Sequence, residues 1–315
     1  MSEVKKLATR EGYAQGLLAL GEKYENMVVL DADLAAATKT SVFKKAYPER
    51  FIDCGIAEAN MIGIAAGLVS TGKLVFASSF AMFVAGRAFE QIRNSVGYPK
   101  LPLKIGATHA GISVGEDGAS HQCNEDIALM RTIPGMTIIN PADAVEAKAA
   151  TIAAAEIDGP VYLRFGRLAV PVFNDEETYT FTPGKGVKIQ DGDDVTIIAT
   201  GLMVNEARIA GEMLKEQGIN ADIINIHTIK PLDKDIVIES AKKTGAVIVA
   251  EEHSVIGGLG SAVCETLAEN CPTPVTRIGM NDEYGMSGAA VDLLKHYGFS
   301  AENIAKKAVE AVKSK

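Results

Sequence analysis

The chain has 315 residues, of which 47% are hydrophobic and 23% are charged; this allows two domains with buried cores and excludes a largely disordered protein. No apolar run reaches the roughly 18 residues that a membrane span needs. The formal net charge of −9 argues against nucleic acid or an anionic membrane as a partner.

Short runs rich in β-branched residues alternate with longer helical patterns along most of the chain. The predicted strands are Met27–Asp31, Phe51–Cys54, Leu74–Ser79, Leu103–Ala107, Met136–Asn140, Val161–Arg164, Val195–Thr200, Asp222–His227, Ala246–Glu251 and Pro274–Ile278. The predicted helices are Thr9–Tyr24, Ala57–Thr71, Ala81–Val96, Ala142–Ala155, Val204–Gln217 and Asp233–Lys243. Because parallel strands need crossover helices, the alternation predicts an α/β fold.

The alternation stops between Pro171 and Asp194, where the sequence is polar and rich in turn residues. We interpret this segment as a linker. The predicted organisation is a larger domain over residues 1–185, with a mostly parallel sheet covered by helices on both faces, and a smaller α/β domain over residues 186–315.

The four cysteines, Cys54, Cys123, Cys264 and Cys271, form no CxxC pair, which excludes a zinc ribbon and a dithiol redox motif. The first residues lack the apolar core of a signal peptide. We therefore expect a cytoplasmic protein with free thiols.

The loop after the strand ending at Cys54 places Glu58 at the start of a helix. Ligands bind at the carboxyl ends of strands in open α/β sheets, although this acid alone is better explained by the helix dipole. Gly63 and Gly67 share one face of the same helix, and each costs about 1 kcal/mol relative to alanine. That face predicts close packing against a second helix, from this chain or another subunit.

The loop after the next strand places Phe80 and Phe83 on one face at the start of a helix. Packing in the core is the simpler interpretation of two aromatic rings at this spacing. Further along the same helix, Arg87, Glu90 and Arg93 predict exposed ion pairs three residues apart.

The segment from Thr108 to Gln122 is long for a loop in a compact α/β domain, and loops of this length are usually functional. His109 and His121 bracket Glu116 and Asp117 in it, which favours an active site at the carboxyl end of a strand. The spacing of the two histidines is not that of metal ligands, and we predict no metal site in this chain.

Two weaker patterns remain. Arg164 and Arg167 lie at the end of a strand. At this place an arginine either binds a phosphate or forms a surface ion pair with an acidic side chain. In the second domain, Gly257–Gly260 opens a helix, but a dinucleotide fingerprint needs glycine where Val263 stands. We interpret the second pattern as a tight turn that packs a helix on its sheet.

Together these loops resemble the C-terminal half of transketolase, a thiamine-diphosphate enzyme. The resemblance runs through essentially the whole chain and covers that family's pyrimidine-binding and C-terminal domains. Its most specific segments are Gly55–Leu68, Ser79–Phe83, Gly115–Gly118 and Ser120–Gln122. The family pattern usually has glutamine where Ala59 stands, a departure that does not touch the neighbouring acid.

The resemblance implies thiamine diphosphate as the cofactor, whose thiazolium carbon must lose a proton to become a nucleophile. It assigns Glu58 to a hydrogen bond with the aminopyrimidine, promoting the imino tautomer that takes this proton. It assigns Phe80 and Phe83 to the wall on which the pyrimidine ring stacks.

The resemblance also implies residues that bind a sugar phosphate. His109, Asp117 and His121 match the positions that bind the hydroxyls and the phosphate and relay protons, so that His121 joins Glu58 as a catalytic residue. Arg167, with Arg164 as the weaker alternative, matches the cation for the substrate phosphate.

The resemblance places Asp33 near the thiazolium side of a subunit interface. The phosphate-binding serine expected after it is missing, which leaves Thr38 and Thr40 as candidate substitutes. The Gly-Asp-Gly and asparagine motif that binds Mg²⁺ is missing too. Because Met1 opens on the middle of a full transketolase, we expect a split enzyme whose N-terminal subunit holds the diphosphate and Mg²⁺.

The expected function is that of the C-terminal subunit of a split transketolase of the pentose phosphate pathway. It would transfer a two-carbon ketol unit between sugar phosphates. In the expected heterotetramer, two copies of this chain pack against each other through the Gly63/Gly67 face. Two alternatives keep the cofactor: half of a 1-deoxyxylulose-5-phosphate synthase and the beta subunit of a 2-oxoacid dehydrogenase. A third alternative is a non-catalytic interaction subunit.

Overall fold

The computed structural model describes residues 5–315. Its α-helices are α1 (Thr9–Lys23), α2 (Ala35–Thr38), α3 (Ser41–Ala46), α4 (Glu58–Ser70), α5 (Phe89–Gln91), α6 (Asp126–Arg131), α7 (Ala144–Ala154), α8 (Met203–Lys215), α9 (Lys234–Thr244), α10 (Leu259–Asn270), α11 (Ala290–His296) and α12 (Ala301–Lys313). Its strands are β1 (Lys6–Ala8), β2 (Met27–Asp31), β3 (Phe51–Asp53), β4 (Leu74–Phe80), β5 (Lys104–Thr108), β6 (Thr137–Ile139), β7 (Val161–Arg164), β8 (Ala169–Pro171), β9 (Val187–Gln190), β10 (Val195–Ala199), β11 (Ala221–Asn225), β12 (Thr228–Lys230), β13 (Val247–Ser254) and β14 (Val275–Met280).

The first sheet has seven strands in the order β12-β6-β7-β5-β4-β2-β3. Its neighbouring strands are parallel except for β12, which runs antiparallel to β6. Every residue of β2, β5 and β7 is buried, because helices cover both faces of the sheet. The predicted α/β fold with a mostly parallel first sheet is confirmed.

The second sheet has five strands in the order β14-β13-β10-β11-β9. It is parallel except for β9, which pairs antiparallel with β11. Because β9 lies between Pro171 and Asp194, the interpretation of that whole segment as a linker was wrong. Lys188 of this edge strand forms an ion pair with the buried Asp222 carboxylate at 2.6 Å. This ion pair helps to hold the strand against β11, since the strand itself has no long apolar run.

One strand crosses between the two halves of the chain. Strand β12 follows β11 of the second sheet, yet it pairs with β6 at the edge of the first. The first sheet is therefore completed by residues beyond position 185, and the two halves are joined by strand pairing as well as by side-chain contacts.

The segment predicted as one helix over Ala81–Val96 is helical but irregular. Two π-helical turns, Met82–Arg87 and Ile92–Gly97, flank the short α5. π turns insert extra residues into a helix and rotate the side chains that follow, and they occur frequently at functional sites. Across residues 5–315, every helix falls short of the length and hydropathy required to cross a bilayer.

Candidate active site

The predicted site residues lie at the carboxyl edge of the first sheet. Asp33 follows β2, Glu58 follows β3, Phe83 follows β4, His109 follows β5 and Arg167 follows β7. These five strands are neighbours and parallel, so their carboxyl ends open on the same edge, where α/β sheets bind ligands. The sheet order thereby brings together loops that are far apart in sequence.

Four rings form a contiguous cluster at this edge. The Phe80 and His109 rings stack with centroids 3.7 Å apart, and the Phe80 and Phe83 rings stack at 5.7 Å. The His121 ring meets Phe83 edge-on at 5.2 Å. Phe80 is buried and Phe83 is half-buried, so the cluster combines core packing with an accessible aromatic face.

Glu58 is the first residue of α4, and it is only 1% exposed. The Arg87 guanidinium donates to its Oε2 at 2.9 Å, and the Ser79 hydroxyl donates to its Oε1 at 3.4 Å. Arg87 is 54% exposed and lies 5.1 Å from the centroid of the Phe83 ring. The expected surface pairing of Arg87 with Glu90 was wrong: the π turn directs the guanidinium to Glu58 instead.

A cavity of about 600 Å³ opens beside Phe83 and Arg87. The rest of its wall comes from the long loop and the residues after it, and from the second domain: Ala119, Ser120, Gln122, Asn124 and Glu125, with Ser254, Met280 and Asp282–Gly285. The Glu58–Arg87 pair therefore borders an open cleft between the two halves of the chain.

His109 has a positive φ of 57°, a conformation that few residues other than glycine adopt. Arg10 Nη1 lies 3.0 Å from His109 Nε2, and Thr108 Oγ1 lies 2.9 Å from Nδ1. Because a guanidinium only donates, Nε2 accepts from it and Nδ1 carries the hydrogen. Burial, aided by the charges of Arg10 and Arg167, lowers the pKa of His109 to about 3, so the ring is neutral at physiological pH.

Arg167 and the loop acids form the polar side of the site. Arg167 Nη1 lies 3.3 Å from Glu116 Oε2 and 3.9 Å from Asp117 Oδ2, and it also donates to the Val114 carbonyl. The Arg167 and Asp117 side chains are 38% and 42% exposed. Both groups are therefore accessible to a ligand.

Arg164, by contrast, is a buried structural residue. Its Nε donates to both oxygens of the Asp126 carboxylate, at 2.9 and 3.1 Å, and its Nη2 donates to the Glu252 carbonyl. Both members of the pair are almost fully buried. The alternative assignment of Arg164 to a substrate phosphate was wrong, since its charge is already neutralised inside the protein.

Asp33 is exposed, and its backbone amide donates to Asp53 Oδ1 at 3.1 Å. Thr38 and Thr40 are fully buried, and both hydroxyls donate to the Asp31 carboxylate, at 2.7 and 2.8 Å. Burial raises the pKa of Asp31 to about 6. The two threonines face the interior in this conformation, so they do not replace the missing phosphate-binding serine.

The glycine patterns on α4 and before α10 have different surroundings. A Cβ atom at Gly63 or Gly67 would meet nothing within 4 Å, so the face of α4 that was expected to pack closely is open in the single chain. At the start of α10, the backbone amides of Leu259 and Gly260 both donate to the Glu251 carboxylate at 2.7 Å. This helix start is filled by the protein's own acid, which explains why it is no phosphate site.

Two arginines of the site, Arg10 and Arg87, were not predicted as site residues. Both lie on helical segments and reach the site only through tertiary contacts, with His109 and Glu58 respectively. Within residues 5–315, no group of three or more His, Cys, Asp or Glu side chains is arranged to hold a metal ion.

The sequence matches two family descriptions: "Transketolase, pyrimidine binding domain" over residues 5–172 and "Transketolase, C-terminal domain" over residues 184–304. A "Putative transketolase C-terminal section" from Methanocaldococcus jannaschii is 55% identical over 306 residues, covering 96% of both chains. A 6-deoxy-6-sulfo-D-fructose transketolase subunit from a Clostridium species is 45% identical over 307 residues, covering 97% of this chain and 95% of the relative.

Among solved structures, a split gene transketolase described as an inactive β4 tetramer has a TM-score of 0.91 and 51% identity to this chain. The match covers 98% of this chain and 99% of that one. The chain therefore belongs to the transketolase family, as a split C-terminal section that carries the pyrimidine-binding and C-terminal domains.

Proposed function

We propose that this chain is the C-terminal subunit of a split transketolase that transfers a two-carbon ketol unit between sugar phosphates. The observation that carries the proposal is the buried Glu58 carboxylate, which is paired with Arg87; Arg87 and the nearby Phe83 ring both line the cleft. A buried acid beside an aromatic wall suits a flat heterocycle with a polar ring nitrogen.

These residues fit the aminopyrimidine part of thiamine diphosphate. Bound there, the cofactor would supply a thiazolium carbon that acts as a nucleophile after losing a proton. Phe83 would stack on the ring, and Glu58 would hold a proton at the ring nitrogen. Because both donors to Glu58 are side chains, they can turn aside for a ligand. Mg²⁺ and the diphosphate would bind to an N-terminal partner subunit.

The remaining site residues suit a sugar phosphate. His109 is neutral, and its Nε2 would exchange the hydrogen bond from Arg10 for one from a sugar hydroxyl. Arg167 offers an accessible guanidinium to a phosphate. We assign Asp117 to a sugar hydroxyl, His121 to proton transfer, and Asp33 to the side of the cofactor that faces the partner.

We assign the open face of α4 to contact between two copies of this subunit. Ile64 of α4 is 37% exposed, and Ile56, in the loop just before α4, is 77% exposed. The uncovered Gly63 and Gly67 lie on α4 as well. An exposed apolar face with small residues is typical of a protein interface. The solved relative is itself described as a β4 tetramer.

The substrate sugar has a second candidate. The Clostridium relative is named for 6-deoxy-6-sulfo-D-fructose, whose sulfonate is an anion that Arg167 would bind as it binds a phosphate. A sulfo-sugar is therefore the second candidate substrate, and it calls for no change in the assigned roles of Glu58 or Phe83.

The test combines this chain with the N-terminal transketolase subunit of the same organism, thiamine diphosphate and Mg²⁺. Xylulose 5-phosphate and ribose 5-phosphate should yield sedoheptulose 7-phosphate, and 6-deoxy-6-sulfo-D-fructose replaces the ketose in a parallel reaction. Pyruvate with glyceraldehyde 3-phosphate tests the deoxyxylulose alternative, and pyruvate with a lipoyl domain tests the dehydrogenase alternative. A folded complex that forms neither transketolase product would refute the proposal.

A further inference from the structure

The second domain contacts the long loop Thr108–Gln122 at every one of the loop's three glycines. Gly111, Gly115 and Gly118 all have φ between 75° and 85°, where side chains are strained. A Cβ atom at Gly111 would lie 2.4 Å from the Glu252 carboxyl carbon, and one at Gly118 would lie 2.4 Å from Ser287 Oγ. A Cβ atom at Gly115 would lie 3.4 Å from the backbone nitrogen of Ala290, an ordinary van der Waals contact.

Two hydrogen bonds join the same surfaces. The backbone amide of Ser113 donates to Glu252 Oε1 at 2.6 Å, and Gln122 Nε2 donates to the Met286 carbonyl at 2.9 Å. Glu252 is 4% exposed and Gln122 is 3% exposed. Burial raises the pKa of Glu252 to about 7, and a carboxyl oxygen accepts a hydrogen bond in either protonation state. Because a buried donor left without an acceptor destabilises the fold, these two contacts restrict the path of the loop.

This loop carries His109, Asp117 and His121, and Val114 in its middle accepts a hydrogen bond from Arg167. After Thr108 the loop forms no long helix or strand: an isolated bridge joins Ala110 to Cys123, and Gly115 interrupts its 3₁₀ turn. Its internal hydrogen bonds are local, such as those from Gln122 Nε2 to the Ile112 and Gly115 carbonyls at 3.3 and 3.2 Å. The contacts with the second domain therefore add to the few bonds that fix the shape of the loop.

We propose that the second domain is the template for the substrate-binding loop, and that Glu252 is the positioning residue that transmits this shape through Ser113. The proposal rests on the proposed function in taking the loop to bind the sugar phosphate. It gives the second domain a role in substrate affinity through Glu252, which contacts the loop at Ser113 and Gly111.

The neighbouring Glu251 offers a matched control. It lies on the same strand, is equally buried, and accepts two backbone hydrogen bonds, but both come from α10 of its own domain. Glu252→Met removes the acceptor for Ser113 at nearly constant volume, whereas Glu252→Gln keeps one oxygen for it. Glu251→Gln perturbs the second domain without touching the loop.

Hydrogen exchange of the isolated full chain is the first measurement. We expect Glu252→Met to raise the amide exchange rate over residues 108–122 at least tenfold. In Glu252→Gln and Glu251→Gln, the exchange rate of these same residues should equal that of wild type. In the assembled enzyme, Glu252→Met should raise KM for the sugar phosphate about tenfold, change kcat less than threefold and leave the affinity for thiamine diphosphate unaltered. If Glu252→Met fails to fold, Gly285→Ala changes only the second domain: its Cβ atom would lie 1.9 Å from Gln122 Oε1, so it should displace the loop and show the same loop-specific exchange.

The outcomes separate this inference from the proposed function. Unchanged loop exchange in Glu252→Met, or an equal rise in Glu251→Gln, would overturn the inference whatever reaction the enzyme performs. A complex without transketolase activity but with loop-specific exchange would refute the proposed reaction and leave the template role of the second domain standing.

Discussion

Glu58 and Glu251 are both buried acids beside the start of a helix, and their surroundings differ in one decisive respect. The Glu251 carboxylate is satisfied by two backbone amides of α10, which cannot leave without unwinding the helix. The Glu58 carboxylate is satisfied by the side chains of Arg87 and Ser79, which need only rotate. An acid held by side chains beside a cleft is available to a ligand, whereas an acid held by the backbone is part of the fold.

The largest effect should come from Glu58→Gln in the assembled enzyme. The amide keeps the size of the side chain but cannot exchange a proton as a carboxylate does, so product formation should fall at least about 100-fold. The subunits should still assemble, as measured by sedimentation, because water solvates the half-exposed Arg87 once its charged partner is lost. Undiminished turnover would instead favour the non-catalytic interaction subunit.

Glu251→Gln should show the opposite pattern. In glutamine an NH2 group replaces one of the two carboxylate oxygens, so one of the two backbone N–H groups of α10 would lose its acceptor. A buried donor without an acceptor costs about 1–3 kcal/mol. Urea unfolding should report that loss of stability, while the activity per folded molecule stays within about twofold of wild type. An activity loss as large as that of Glu58→Gln would erase the distinction between the two acids.

The sequence predicted the sheet edge well, because strands such as β2 and β4 begin with apolar runs of four residues, and the carboxyl ends of the strands determine which loops meet. It did not predict Arg10 or Arg87 as site residues, since their partners lie 99 and 29 positions away and no local pattern encodes such pairs. The edge strands β9 and β12 were missed because their short sequences, VKIQ and TIK, mix polar and apolar residues and are held in place by pairing with a neighbouring strand. The π turn was missed because its apolar residues repeat much as those of an α-helix do.

The neutral state of His109 gives a prediction that depends on pH. Its pKa is about 3 in the folded chain and about 6.5 when unfolded, so acidification from pH 7 to pH 5 protonates the unfolded state alone and destabilises the fold. This contribution amounts to about 2 kcal/mol. In urea unfolding, the free energy of unfolding of His109→Gln should therefore fall by about 2 kcal/mol less than that of wild type when the pH is lowered from 7 to 5. His227, whose pKa burial lowers to about 4, is present in both proteins and cancels.

The smallest effects concern Gly63 and Gly67 of α4. Their surroundings differ from those of Gly258 before α10 as the surroundings of Glu58 differ from those of Glu251. Gly258, before α10, has no room for a Cβ atom, since Glu251 Oε2 would lie 2.1 Å from it, whereas Gly63 and Gly67 have nothing within 4 Å. Because alanine favours helices over glycine, Gly63→Ala and Gly67→Ala should each stabilise the isolated chain by about 0.5–1 kcal/mol. If the open face packs against a second copy, the same substitutions should weaken self-association in sedimentation equilibrium, with Ser70→Ala on the same helix as the control. A gain in stability with unaltered self-association would place the subunit interface elsewhere and leave these glycines without a role in assembly.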